Sequence, residues 1–316
     1  MYLTKNQELE LLSALDSRGE SPLKFAYIPG YKEWINVAQK SREEHSIQFE
    51  EDLLKIESFP FIFREITDQI KTVNIIDFGC GDGVPILPVI NYLKTVPNIR
   101  YIPVDISENM ILEAKKTLKN KFPKIEIVSI ISDFEKGEIL EDIFQLTKST
   151  NTRNYFFLLG NTLGNSNNTE KFLSNLKLSM FSEDSLIIGN QIANLFASSK
   201  FIKYYQAKEV YNLVTSTLRN YGMKCAFEEY TVRWNVRQKQ IETFLTLRED
   251  KKITIASYPV SFEKGEEILL FTSKKFGEEN LAEELNNVGF RIDFFATNKK
   301  KNTCIASVTP TRYKSE

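Results

Sequence analysis

Short apolar runs alternate with amphipathic stretches through the middle of the chain. Each apolar run predicts a strand that is buried on both faces, and glycine, aspartate or asparagine lies near its end. Strands that alternate with helices over this length predict a parallel, doubly wound sheet. The predicted strands lie at 73–79, 100–107, 124–134, 154–161 and 185–192. The predicted helices between them lie at 84–94, 108–120 and 169–181.

Two regions break this alternation. Residues 1–58 predict helices, and the helix at 41–56 carries one charged face. Residues 196–274 begin as a helix at 201–222 and continue as runs typical of antiparallel strands. The closing apolar hairpin at 290–310 would add one antiparallel strand to the sheet. The predicted antiparallel strands lie at 228–236, 241–250 and 251–260.

The bulk composition excludes several classes of protein. Hydrophobic residues make up 42% of the chain and charged residues 26%, so a core of ordinary size is available. The formal net charge is −1, which argues against a broad basic surface for nucleic acid. No apolar run approaches the roughly 20 residues that a membrane helix needs, and the first residues lack a signal-peptide pattern. The sequence predicts a soluble, cytoplasmic protein that binds neither nucleic acid nor membrane.

The residues that bind metals or act as nucleophiles are few. Cys80, Cys225 and Cys304 are far apart and form no CxxC pair, which predicts inert thiols in a reducing compartment. His45 is the only histidine, so no zinc site and no other metal site is expected. A Ser-His-Asp triad would depend on His45, and the chain has no GxSxG elbow.

The first candidate site is the glycine-rich turn DFGCGDG, which follows one predicted strand and precedes a helix. Its glycines allow a tight turn and a close approach of the backbone to a ligand. No Lys-Ser/Thr pair follows, so a P-loop is excluded. We expect Asp77, Gly79, Gly81 and Gly83 to bind a nucleotide-type ligand.

Acidic residues end the next two predicted strands. Asp105 and Ile106 lie about 20 residues beyond the turn, where a carboxylate can hold the two hydroxyls of a ribose. Asp133 can accept a hydrogen bond from an adenine amino group, and the neighbouring Phe134 can pack on the base. Both positions predict contacts to the same nucleoside.

The motif LGNTLGN ends the fourth predicted strand. Ligands of open parallel sheets bind beyond the carboxyl ends of the strands. Amide side chains both donate and accept hydrogen bonds, so they can orient an amine or a carboxylate. We expect Gly160, Asn161 and Thr162 to lie at the cofactor and Asn165 at the substrate.

In this order, the motifs DFGCGDG, YIPVDIS, SDF and LGNTLGN resemble those of class I S-adenosylmethionine-dependent methyltransferases. With PLKFAYIPG, FEKGEEILLFTSKKF and LNNVGF, the chain more narrowly resembles the L-histidine Nα-methyltransferase family of ergothioneine biosynthesis. The resemblance implies an α/β fold: a Rossmann-like methyltransferase sheet, parallel with one antiparallel C-terminal strand, plus a smaller α+β substrate lobe. It implies a domain for S-adenosylmethionine at 59–195 and 275–316, and a substrate-binding lobe at 1–58 and 196–274.

The resemblance also assigns roles to individual residues. Gly79, Asp105 and Asp133 would hold S-adenosylmethionine, and Phe134 would line the adenine pocket. The positions that match substrate-facing residues of the family are Asn165, Tyr27, Ser273 and, in a looser alignment, Tyr204 or Tyr205.

Three positions depart from the family pattern. Phe271 stands where the family has a glutamate that recognises imidazole, His45 stands where it has a tyrosine, and Val84-Pro85 replaces a Lys-Thr pair. Phenylalanine cannot accept a hydrogen bond from an imidazole N–H, and a site without its polar partner commonly loses roughly several powers of ten in discrimination. We therefore expect a substrate other than histidine.

These residues predict methyl transfer to the unprotonated amine of a small amino-acid-like molecule. Asn165 and a tyrosine would orient the amine end, while Phe271 would line an apolar pocket that Trp34 could wall. His45 could accept a proton, because its ordinary pKa is near neutral.

Other functions fit the same motifs. They are methyl transfer to a carboxylate or thiol, a non-catalytic adenosylmethionine-binding protein, and an NAD(P)-dependent oxidoreductase. The closing hairpin and the SDF carboxylate favour the adenosylmethionine interpretation over the last of these. We expect a monomer or weak dimer.

Overall fold

The computed structural model describes residues 3–44, 47–137, 140–147, 151–193 and 197–311, and the statements below concern these residues. The chain divides into two compact units. The smaller unit comprises Met1–Lys40 and Asn194–Lys275, and the larger unit comprises Ser41–Ala193 and Phe276–Glu316.

The helices and strands are numbered along the chain. The helices are α1 (Lys5–Asp16), α2 (Leu23–Ala26), α3 (Tyr31–Glu43), α4 (Ile47–Ile62), α5 (Leu87–Tyr92), α6 (Glu108–Lys121), α7 (Leu140–Thr147), α8 (Thr169–Leu178), α9 (Ala197–Tyr205), α10 (Lys208–Val214), α11 (Ser216–Asn220) and α12 (Glu278–Val288). The strands are β1 (Thr72–Phe78), β2 (Asn98–Asp105), β3 (Glu126–Ile127), β4 (Ile130–Ile131), β5 (Thr152–Leu158), β6 (Ser185–Gln191), β7 (Tyr230–Asn235), β8 (Gln240–Thr246), β9 (Lys251–Ile255), β10 (Tyr258–Phe262), β11 (Glu267–Lys274), β12 (Phe290–Thr297) and β13 (Thr303–Pro310).

The larger unit is built on an eight-stranded sheet in the order β12-β13-β6-β5-β1-β2-β3, and β4 also pairs with β2. The neighbours from β6 to β4 run parallel, whereas β13 runs antiparallel to both β6 and β12. This is the predicted parallel sheet with one antiparallel C-terminal strand, so the predicted fold class is confirmed. The carboxyl ends of β1, β2 and β5 therefore meet at one edge of the sheet.

Both faces of this sheet are buried, as the continuous apolar runs predict. Along β5, Phe156 and Leu158 belong to one hydrophobic core, while Tyr155 and Phe157 belong to the other. β1 divides in the same way, because successive side chains of a strand point to opposite faces. The two cores fix the strand ends that carry the candidate site.

The first boundary between the units lies near residue 41 rather than at the expected residue 59. Helix α4 is the reason, because Leu54, Phe59 and Ile62 are buried in one of the two cores of the sheet. The apolar residues of this helix thus pack against the parallel sheet, whereas the resemblance implied a substrate lobe that includes residues 1–58. The other two boundaries between the units lie after Ala193 and after Lys275.

The smaller unit combines helices with two antiparallel sheets, β11-β8-β7 and β10-β9. The predicted helix at 201–222 is interrupted, and α9, α10 and α11 follow one another there. The run at 251–260 is a hairpin rather than one strand, because Ala256 and Ser257 both have positive φ angles and reverse the chain.

Two predicted elements of the larger unit are shorter than expected. The third strand, predicted at 124–134, is reduced to β3 and β4, each of which pairs with β2 over two residues at the edge of the sheet. The helix predicted at 84–94 is only α5. Among the described helices, no segment is long and apolar enough to cross a bilayer.

Candidate active site

The glycine-rich turn leaves β1 with three residues in the left-handed region. The φ angles of Gly79, Gly81 and Gly83 are 65°, 53° and 70°, a conformation that other residues adopt only at a cost. A Cβ atom added to Gly83 would lie 3.0 Å from Ala114 Cα in α6. The turn therefore packs directly against the helix that follows β2.

The acids around this turn are buried and hydrogen-bonded. Asp77, at the end of β1, accepts a hydrogen bond from the Tyr101 hydroxyl at 2.8 Å. Burial raises the pKa of Asp77 to about 7, while the nearby Lys55 ammonium acts in the opposite direction. Asp82 accepts a hydrogen bond from Arg42 at 2.7 Å. The sequence pattern did not identify the side chains that interact with these two acids, which are Tyr101, Lys55 and Arg42.

Asp105 joins the end of β2 to the glycine turn. Its carboxylate accepts the Ser107 N–H at 2.9 Å and also the backbone N–H groups of Gly81 and Ile106. Burial nevertheless raises its pKa to about 6. Ser107 precedes α6, but its side chain makes no capping bond, and its Oγ is buried without a partner in the described structure.

The ends of the third and fourth predicted strands also reach the turn. A Cβ atom on Gly79 would lie 3.4 Å from Thr162 Oγ1 and 3.8 Å from Phe134 Cζ. The Phe134 ring packs edge-on to Phe78 and stacks on Phe172. The sequence predicted that these segments would lie close together.

Asp133 directly precedes this aromatic ring. Its side chain is mostly buried, and its carboxylate lies 3.6 Å from Lys136 Nζ. The adenine contact of Asp133 stays a prediction.

The loop after β5 is tied together by its two asparagines. Gly160 and Asn161 both have positive φ, at 72° and 64°. Asn161 accepts the Gln191 N–H at 3.0 Å through Oδ1 and donates to Asn165 Oδ1 at 3.2 Å through Nδ2. The Thr162 hydroxyl donates to the Leu159 carbonyl at 2.7 Å. These bonds hold Asn161 and Asn165 together at the end of β5.

Glu51, on α4, is a buried acid that the sequence pattern missed. Its Oε1 accepts the Gly160 N–H at 2.9 Å, and its Oε2 is buried without a hydrogen-bond partner among the described residues. A Cβ atom on Gly189 would lie 2.7 Å from Glu51 Cδ, so this glycine leaves room for the carboxyl group. Burial raises the pKa of Glu51 to about 7. A glycine within the apolar strand β6 was the available signal.

In the smaller unit, predicted substrate residues form one cluster. The Tyr205 hydroxyl lies 3.0 Å from Ser273 Oγ, and Lys275 Nζ donates to these oxygens at 2.9 and 2.7 Å. All three side chains are buried. The Phe271 ring lies 5.6 Å from the Tyr205 ring. Lys275 was not predicted, because a lysine in TSKKF resembles an ordinary surface residue.

The other predicted substrate residues have different outcomes. Burial raises the pKa of Tyr205, and the neighbouring Tyr204 and Tyr27 hydroxyls add to the effect, so Tyr27 lies near the cluster. Trp34 is half-buried in α3, and no ring contact in the described structure joins it to these residues. His45 lies outside the described residues.

The sequence profile of a family described as "Histidine-specific methyltransferase, SAM-dependent" matches residues 59–309, which is most of the chain. The chain belongs to this family. It is a methyltransferase that depends on S-adenosylmethionine, which confirms the predicted class and sets the oxidoreductase alternative aside.

Two known proteins are similar to the methyltransferase to different degrees. Histidine N-alpha-methyltransferase from Mycolicibacterium smegmatis is 25% identical over 241 residues, which cover 72% of each chain. A crystal structure of an S-adenosylmethionine-dependent methyltransferase from Clostridium acetobutylicum matches 89% of this chain and 99% of its own. That match has 10% identity and a TM-score of 0.48.

The edge of the large sheet fits the cofactor of this methyltransferase. Because Gly79 has no side chain, none lies between its backbone and the side chains of Thr162 and Phe134. Asp105 supplies a buried acceptor and Ser107 an unpartnered hydroxyl at the end of the neighbouring strand. No group of three His, Cys, Asp or Glu side chains that could hold a metal ion occurs among the described residues.

Proposed function

We propose that this methyltransferase transfers a methyl group to the amine of a small amino-acid-like acceptor other than histidine. The observation that carries the proposal is Phe271, which stands where the family pattern has its imidazole-recognising glutamate. Phe271 is buried beside Tyr205, the next residue on its face of β11 is Ser273, and Lys275 follows directly after the strand, so no acid stands there. A relative that is named for an N-alpha transfer supports an amine as the acceptor.

The larger unit would hold the cofactor. S-adenosylmethionine, when bound, supplies a methyl group on a sulfonium that a neutral amine can attack. Asp105 would accept hydrogen bonds from the ribose hydroxyls, Asp133 would accept one from the adenine amino group, and Phe134 would pack on the base. Gly79 and Gly81 would let the backbone approach the cofactor.

Asn165 would orient the amine of the acceptor. Its Oδ1 accepts a hydrogen bond from Asn161 Nδ2, and Asn161 is in turn fixed by the Gln191 N–H. This chain of bonds holds the Asn165 amide in one orientation, which a near-attack geometry requires. Tyr27 and Tyr205 would supply hydroxyls for the polar end of the acceptor, and exclusion of water would keep its amine unprotonated.

A substitution at residue 271 tests the acceptor assignment. Phe271→Glu and Phe271→Gln each restore an acceptor for an imidazole N–H. We expect both to raise kcat/KM for L-histidine relative to L-phenylalanine by about tenfold or more. Methyl transfer is measured by mass spectrometry of the products.

Phe271→Leu is the matched control, because it changes the ring but adds no acceptor, and we expect no gain with histidine. Higher kcat/KM for histidine than for every other amino acid in the unmodified enzyme would contradict the proposal. Binding of S-adenosylhomocysteine without methylation of any amine would favour a non-catalytic partner protein instead.

A further inference from the structure

In the second half of β11, a bulge changes which side chains share the buried face of the strand. A bulge between Leu269 and Phe271 shifts the register against β8 by one residue, and bulges commonly re-aim side chains near functional sites. Beyond the bulge, Phe271 and Ser273 are buried on one face, and Lys275 follows at the same spacing. Lys274, which lies between Ser273 and Lys275 in the sequence, is only half-buried.

Lys275 is fully buried with neutral partners. Its ammonium donates to the Tyr205 and Ser273 hydroxyls and lies 4.9 Å from the Tyr205 ring centroid and 5.3 Å from that of Phe201. No carboxylate of the described residues lies within ion-pair distance of it. Burial alone holds the pKa of Lys275 well below its ordinary value.

The other lysines with buried side chains in the described structure show what such a group normally requires. Lys55 pairs with Asp52 at 2.7 Å, and Lys251 pairs with Glu229 at 2.6 Å. Burying an ammonium without a counter-ion is unfavourable, and an apolar side chain of similar size would fill the same space at lower cost. The fold therefore retains at position 275 a buried lysine for which the described residues supply no counter-ion.

The Tyr205 and Ser273 hydroxyls are polarised by their hydrogen bonds from Lys275. A hydroxyl that accepts a hydrogen bond from an ammonium becomes a stronger donor to the next acceptor. Tyr205 is held from its backbone side, because the Tyr230 hydroxyl donates to the Tyr205 carbonyl at 2.8 Å. The contact of 3.0 Å between the two hydroxyls keeps both oxygens beside Lys275.

We propose that Lys275, acting with the hydroxyls of Tyr205 and Ser273, forms a subsite for a carboxylate of the methyl acceptor. The inference rests on the proposed function and narrows it. The acceptor is an amino acid that keeps its acidic group, and the corresponding decarboxylated amine is a poor substrate. The carboxylate supplies the missing negative charge, and its contact with Lys275 fixes the acceptor.

Matched pairs of ligands test this subsite. L-phenylalanine with 2-phenylethylamine, and L-tyrosine with tyramine, differ only in the carboxylate. Each is titrated calorimetrically into the full-length protein with S-adenosylhomocysteine present. We expect at least one acid to bind about ten- to a hundredfold more tightly than its amine. Lys275→Met should remove this preference, and Lys274→Met, on the opposite face, should keep it.

Two further measurements separate recognition from a structural role. Because methionine is an apolar side chain of similar length, Lys275→Met should leave Tm unchanged or higher, whereas a lysine needed for folding would lower it. A bound carboxylate favours the ammonium form, so binding of the acid should take up protons. Titration in two buffers of different ionisation enthalpy measures this uptake, which should be absent in Lys275→Met.

The proposal is overturned if Lys275→Met keeps the preference for the acid, or if the unmodified protein binds acids and amines equally or binds neither. Failure of S-adenosylhomocysteine to bind the unmodified protein would instead contradict the proposed function. Lys275→Met should bind S-adenosylhomocysteine normally, so the two failures are distinguishable.

Discussion

Replacement of Asp105 by alanine is expected to weaken binding of S-adenosylhomocysteine about hundredfold. The carboxylate lies at the end of β2, where it accepts backbone N–H groups from both the glycine turn and Ser107. Its loss removes acceptors for the ribose hydroxyls and also releases the turn. Isothermal titration at a fixed pH measures the change directly.

The pH dependence of cofactor binding gives a second test of the same residue. Burial raises the pKa of Asp105 to about 6, so the carboxylate gains a proton, and loses an acceptor, as the pH falls through that value. Affinity for S-adenosylhomocysteine should therefore decrease as the pH is lowered from about 8 to about 5. Asp105→Asn should bind it weakly, with a flatter pH profile. Asp184→Asn is the control, because burial also raises the pKa of Asp184 to about 6 but no cofactor role is proposed for it. An Asp105→Ala protein with unchanged affinity would show that this site is wrongly assigned.

Replacement of Gly83 by alanine is expected to lower the free energy of unfolding by about 2–5 kcal/mol. The left-handed backbone of Gly83 adds strain, and the new Cβ would lie 3.0 Å from Ala114 Cα and 2.8 Å from Leu118 Cδ2 in α6. The helix must move away, so the turn that carries Gly79 and Gly81 moves as well. Cofactor affinity should fall together with stability, as denaturant titration with and without S-adenosylhomocysteine would show.

Gly222→Ala separates the two causes of this effect. Gly222 also has a left-handed backbone, with φ of 86°, but a Cβ atom there would meet nothing within 4 Å. Its replacement should cost only the strain, about 1–2 kcal/mol, and should leave cofactor affinity unchanged. If the free energy of unfolding falls equally in the two variants, the close packing of Gly83 on α6 does not contribute to the effect.

Elements with unambiguous patterns were predicted well. β1 and β5 are mostly apolar because both of their faces are buried. The outer strand at 124–134 was predicted too long, because it pairs with β2 only in two separate stretches of two residues each. Helix α4 lies in the larger compact unit, although the resemblance implied a domain boundary at residue 59. Amphipathicity shows that a helix packs but does not show on which surface.

The residues that we predict to contact the cofactor lie next to strand ends along the chain. Asp105 and Phe134 each follow a strand, and parallel topology brings such ends to one edge. Glu51 and Lys275 could not be predicted in this way. Glu51 meets Gly160, 109 residues away, and Lys275 meets the Tyr205 hydroxyl, 70 residues away. On sequence alone, both charges resemble ordinary solvent-facing side chains.

One competition experiment tests the central claim most directly. The protein is incubated with methyl-labelled S-adenosylmethionine and an equimolar mixture of the common amino acids, and the products are identified by mass spectrometry. We predict that the label appears on the amine nitrogen of an amino acid other than histidine. Labelling mainly of histidine, or of a carboxylate or thiol, would contradict the account.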